Sequence, residues 1–183
     1  MDPKAAVLLE LVRYAMGESA RWRAWLAEQD PSVLALRMGE AQIATVGTLL
    51  VHVAGVDLMY ADTVVGEPRS AYEWPAVDSL DPIFALEDEA FGKLVAFLEG
   101  APEGALDREL TLRVRGYRLT ASAGKMVAHM LVHGIRHYAQ LATALRAAGH
   151  AQPWQHDLIL GDGFGPPGAF TREATAADAD PSA

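Results

Sequence analysis

The chain has 183 residues, 51% of them hydrophobic and 21% charged, which suits one globular domain with a substantial core. Its net charge of −9 comes without a compensating basic stretch, so the phosphate-neutralising surface of a nucleic-acid binder is missing. There is no cysteine, which excludes disulfides, thiolate metal sites and a cysteine nucleophile, so any metal must use nitrogen and oxygen ligands.

The N-terminal stretch mixes acidic and basic side chains into its apolar periodicity, unlike a signal or transit peptide. No uncharged run reaches the roughly 20 residues that span a bilayer, so a cytoplasmic location without membrane contact is expected. From Lys4 to Gln29, Leu8, Leu11, Val12, Ala15, Trp22, Trp25 and Leu26 recur at helical spacing, and Asp30-Pro31 ends this first helix. Trp22 at that spacing reads as core. Pro31 to Ala44 is a connector. Thr45 then suits an N-cap and Gly66 with Pro68 a stop, giving a second helix over Val46–Val65. His52 lies on its buried face with Thr45, Thr48, Leu49, Val56 and Met59; alone, it would read as a hydrogen-bonded core histidine. Asp57, about 140° further round the helix, reads as solvated.

Arg69 to Asp78, with Tyr72, Trp74 and Pro75, is an irregular connection across the bundle. A third helix from Pro82 to Glu99 follows from Phe84, Phe91, Leu94, Val95 and Leu98, closed by Gly100. Leu110 to Ala121 alternates as LTLRVRGYRLTA around Arg115-Gly116-Tyr117 and predicts a short hairpin.

The last helix runs from Lys125 to Ala148, with Gly149 as its cap, and carries His129, His133 and His137 four residues apart. Each step of four turns about 40° beyond a full revolution and rises about 6 Å, so the three form one stripe, continued on the apolar face by Met126, Met130, Leu141 and Ala144. Adjacent members can chelate one ion at about 2.0–2.1 Å, whereas His129 and His137 are about 12 Å apart in rise. The pair is therefore His129 with His133 or His133 with His137, and a third ligand must come from elsewhere. If helices two and four face each other, His52 can meet His133 and His137. Residues 150–170 are rich in Gly and Pro; GDGFGPPG lacks the preceding strand and following helix of a phosphate loop. His150 and His156 read as ordinary loop histidines. Residues 171–183 are small and acidic, expected to form a disordered tail on a single domain of residues 1–170. Four long helices with a long connection imply an all-α four-helix bundle.

These residues resemble the DinB/YfiT-like family of metalloenzymes, four-helix bundles arranged up-down-down-up. The family's hallmark is one histidine midway along helix two and a His-x-x-x-His pair on the last long helix, typically followed by Arg-Gly-Gln and an aliphatic stretch ending in Arg-x-x-Gly. Here Thr48-Leu49-Leu50-Val51-His52, the run from His133 to Gln140, and Leu145-Arg146-Ala147-Ala148-Gly149 carry the resemblance, over residues 4 to 150. It implies His52, His133 and His137 as metal ligands, with His129 at a non-ligand position one turn earlier. Tyr138 and Ala139 stand where Arg and Gly are usual, so a role for that arginine does not transfer.

Three imidazoles without cysteine suit Zn²⁺, Ni²⁺, Mn²⁺ or Fe²⁺, and leave a coordination position for water or substrate. Gly134 stands where zinc proteases with this spacing place a general-base Glu, which argues against proteolysis. The resemblance implies instead a metal-dependent S-transferase-like enzyme that uses a low-molecular-weight thiol, such as bacillithiol or mycothiol, as cosubstrate with a small-molecule substrate, and it makes a homodimer reasonable. No catalytic residue is assigned; Gln140 and His129 are candidates for support behind the ligands. Two other readings are a metal-dependent hydrolase of small molecules and a non-catalytic metal-binding or stress-response bundle.

Overall fold

The computed structural model describes residues 2–39, 43–69, 71–114 and 116–169; the tail expected at 171–183 lies outside them, as does Arg115 in the hairpin turn. Asp2 starts the first helix by accepting from the Lys4 N–H, and Pro3 follows where no donor is needed, so α1 spans Pro3–Ala27. Thr45 and Thr48 form a capping box, and Gly66, at φ 89°, takes the left-handed conformation that closes the helix. Both ends are thus fixed locally, and α2 spans Val46–Val65 as expected. The helices α3 (Leu80–Gly100) and α4 (Ala123–Ala147) begin two residues earlier than the periodicity indicated.

Between α3 and α4, β1 (Glu109–Val114) and β2 (Tyr117–Ser122) pair antiparallel, with Leu112 opposite Leu119 and Arg113 opposite Arg118. Among the described residues the chain is therefore mostly helical, four long helices with a small two-stranded sheet, the hairpin expected before the last helix. The connector after α1 holds a short 3-10 turn, Pro31–Ala35.

Helix α2 packs on α3 and α4, and α1 completes the ring by packing on those same two helices. One core cluster joins Leu9 and Val12 of α1 to Leu58, Leu94 and Met130; the other joins Trp22 to Leu50, Phe84 and Leu141. Each fully buried side chain of this size contributes about 1.5–3 kcal/mol. By length and composition α2 could cross a membrane, but 67% of its most apolar window is buried inside the protein, as in a core helix.

The connection from α2 to α3 is held against the start of α2 at Gly47. A Cβ at this position would overlap the carbonyl oxygen of Val77, so only glycine lets the two backbones approach. Gly92, exposed in α3, has nothing within 4 Å of such a Cβ. Gly47→Ala should therefore destabilise the protein by about 1–3 kcal/mol, whereas Gly92→Ala should add about 0.5–1 kcal/mol through helix propensity. Urea unfolding of the two variants beside wild type checks this; equal effects would contradict the close approach.

Candidate metal centre

Helices α2 and α4 bring His52, His133 and His137 together, with one ring nitrogen from each lying within 4.8 Å of the other two. His52 Nε2 and His133 Nε2 face each other at 3.1 Å. The ring centroids lie 5.0 Å apart for His52 with either partner and 4.4 Å apart for His133 with His137. His137 is buried and the other two are half-buried. The i, i+4 spacing points two α4 imidazoles the same way, and His52 comes from the facing helix.

Hydrogen bonds set the state of these rings. His137 Nδ1–H donates to Gln140 Oε1 at 2.7 Å, which leaves Nε2 as the lone-pair nitrogen. His133 Nδ1 is buried with no hydrogen-bond partner, and its Nε2 faces another imidazole nitrogen. Whichever tautomer His133 adopts, its buried polar atoms are not all satisfied by protein alone. Burial, helped by the neighbouring His137, His52, His129 and Arg136, pushes the His133 pKa down to about 3. A metal needs neutral imidazole, and this is the form burial favours at His133. Two nitrogens bound to one tetrahedral ion would lie about 3.3 Å apart, close to the His52–His133 separation. The donor set therefore fits a divalent ion.

His129 departs from the expected buried stripe. It is exposed, its ring 5.3 Å from Tyr60 and 6.2 Å from His133, and it is no member of the converging group. The α4 stripe drifts round the axis, so its first histidine leaves the packed face. Gln140, by contrast, sits behind His137 as its sequence position suggested.

Two grooves open beside the histidines, and Ile43 lines both. The first, about 790 Å³, runs past His52, Gly55 and Met59 under Tyr72, Trp74 and Arg113. Tyr72 and Trp74 stack at 5.1 Å, and Trp74 lies so close to Gly55 that a Cβ there would come within 2.7 Å of the indole. The second, about 770 Å³, is bounded by His137, Gln140 and Arg136.

A group of buried acids was not legible as such in the sequence. Glu87 of α3 accepts from Ser19 of α1 and from the Tyr138 hydroxyl, which lies 2.7 and 2.9 Å from its two oxygens. Asp57, read as solvated, is in fact 3% exposed, and its Oδ1 has no partner. The turn that carries it away from His52 carries it into the bundle interior. Burial raises its pKa, with the Glu87 charge adding to the effect. Trp22 is fully buried as expected, stacked on Tyr138 and on His156. His156 is no ordinary loop histidine: its Nδ1–H donates to Glu18 at 2.6 Å, tying the segment after α4 to α1.

A family model described as the DinB family matches residues 1–160. No curated protein matches the chain. The crystal structure of a DinB-like protein, YjoA, from Bacillus subtilis resembles it with a TM-score of 0.56 at 16% identity, covering 80% of this chain and 96% of that one. That likeness concerns the fold.

Burial pushes Glu87 up to about 7, although the hydrogen bonds from Ser19 and Tyr138 pull the other way. Between the ordinary carboxyl pKa and 7, the folded chain holds a proton that the unfolded chain has released. This contribution to stability is complete at low pH and is lost as pH rises through about 7. The stability of Glu87→Gln relative to wild type should accordingly rise from pH 5 to pH 8, measured by urea unfolding (roughly that range brackets the transition). A pH-independent difference would contradict the assignment.

Proposed function

The chain belongs to the DinB family over residues 1–160, and from that premise we propose that it is a divalent-metal enzyme acting on a low-molecular-weight thiol in the manner of an S-transferase. The observation that carries this reading is the convergence of three imidazoles from two helices beside an open groove. His52, His133 and His137 would hold the ion, with Zn²⁺, Ni²⁺, Mn²⁺ and Fe²⁺ all compatible with the donors. When bound, the ion supplies a Lewis-acid centre that favours thiolate over thiol at neutral pH.

The remaining work falls to the chain itself. Gln140 keeps the His137 proton on Nδ1, turning Nε2 toward the centre. The depressed basicity of His133 keeps protons from competing for the ligand. Tyr72 and Trp74 offer the groove a flat apolar wall against which an electrophile can lie, and Arg113 lines the same groove. The thiol brings the nucleophile that a cysteine-free chain lacks. Hydrolysis is less favoured, because among the described residues the converging group contains no carboxylate to act as general base.

An up-down-down-up order is part of the proposal. It is supported by Arg13 meeting Glu99 and Arg23 meeting Asp81 across α1 and α3. Asp62 pairs with Lys93 across α2 and α3, while His52 meets His133 and Tyr60 meets His129 across α2 and α4. A single domain, a cytoplasmic location and a small-molecule partner complete this reading.

The test is to titrate metal-loaded protein calorimetrically with 2-mercaptoethanol in two buffers of different ionisation enthalpy, which counts protons released per thiol bound. Conversion of R–SH to R–S⁻ should release about one proton near neutral pH, and His133→Ala should abolish it. Thiol binding without proton release, or no thiol binding, would contradict the S-transferase reading.

A further inference from the structure

On the side of α4 away from the metal centre lies a cavity of about 130 Å³ that the proposed thiol chemistry does not use. Gly134 and Tyr138, which line it, each follow one of the α4 histidines and so lie about 100° further round the helix. Tyr14, Ala15 and Glu18 of α1 form the opposite wall, and His156 lies at its edge. Asp57 of α2 and Phe91 of α3, each 3% exposed, close its buried end.

The acids around this cavity are unequally served. Glu87 accepts from Ser19 and Tyr138. Glu18 is occupied by Arg21 and His156. Asp57 Oδ1 is buried without a partner, and Asp57 is one of the residues that line the cavity. A buried polar atom left without a partner is costly, and among the described residues no arginine or lysine lines the cavity to supply one. The lining is mixed: Phe91, Met130, Leu131 and Ile135 give it a largely apolar surface where a water would lack the two to four polar contacts it needs. Tyr14, Glu18, Asp57, Tyr138 and His156 supply polar groups, so an amphiphilic occupant fits it better than water alone. An anion is disfavoured by Asp57 and Glu18 and by the net charge of −9. A cavity of about 150 Å³ accommodates a molecule the size of benzene, which sets the scale of the occupant.

We propose that this cavity is a binding site for a small primary ammonium ion carrying a short apolar chain, with Asp57 as its counter-ion. The ammonium group meets the Asp57 carboxyl at the buried end, and the proton that burial holds on that carboxyl in the empty cavity leaves to solvent as the cation enters. The chain lies along Phe91, Met130 and Leu131 towards Ala15 and Ile135. This site stands whether or not the histidines hold a metal.

The experiment is calorimetric titration of the full chain at neutral pH with n-butylammonium chloride, using n-butanol as the neutral isostere. Wild type should bind the ammonium at least about tenfold more tightly than the alcohol, the effect of a charge-assisted hydrogen bond. Asp57→Asn should bring the two affinities together, and Ala15→Leu, which fills the cavity from α1, should weaken both. Equal affinity of wild type for ammonium and alcohol, undiminished ammonium binding in Asp57→Asn, or no ammonium binding at all would overturn the proposal. Should either variant fail to fold, the wild-type comparison of the two probes still decides.

Discussion

The packing of α2 against α4 is the contact on which the candidate centre depends. His133 and His137 share one side of α4 by their spacing alone, but two imidazoles rarely complete a site. The third nitrogen arrives only because α2 lies across them with His52 turned inward, its Nε2 3.1 Å from that of His133. Residues distant from the rings hold this arrangement. The Thr45–Thr48 capping box fixes where α2 begins, and Gly47 admits the Val77 carbonyl against it. The connection thereby held carries Tyr72 and Trp74 to the groove beside His52.

Helix α4 also separates two chemistries. One side carries the three converging imidazoles, that of His133 with strongly depressed basicity; about a quarter-turn away, Tyr138 meets Glu87 beside the unpartnered Asp57. Burial acts in opposite directions on the two sides, since it disfavours charge on base and acid alike. His133 loses its proton and stays available as a ligand, while Asp57 and Glu87 retain theirs to higher pH. Buried acids of this kind are expensive unless a partner offsets them, and Ser19 and Tyr138 supply one for Glu87 but not for Asp57.

The bounds of α2 were readable from the sequence because Thr45 and Gly66 act within a turn of the helix they end. The triad was readable only in part. Spacing narrowed the α4 pair to two alternatives, and the family resemblance chose between them; the facing of α2 and α4 is a tertiary fact that no local pattern contains. Local patterning also placed His129 on the packed face, where the observed helix leaves it exposed. The buried acids gave a signal that could have been used. Glu87 falls three residues after Phe84 and four before Phe91 in the apolar stripe of α3, and Asp57 falls between Val53 or Ala54 and Ala61 in that of α2. Their partners Ser19 and Tyr138 lie 68 and 51 residues from Glu87, so the cluster itself is legible only in three dimensions.

The most direct measurement is metal content per chain by elemental analysis of untagged protein, for wild type, His52→Ala and His133→Ala, each incubated in turn with Zn²⁺, Ni²⁺, Mn²⁺ and Fe²⁺ and dialysed without chelator. The cross-helix triad requires about one ion per wild-type chain for at least one of these metals, lost in both variants while each still unfolds cooperatively. No bound ion under any of the four conditions, or an ion retained when either histidine is removed, would contradict it.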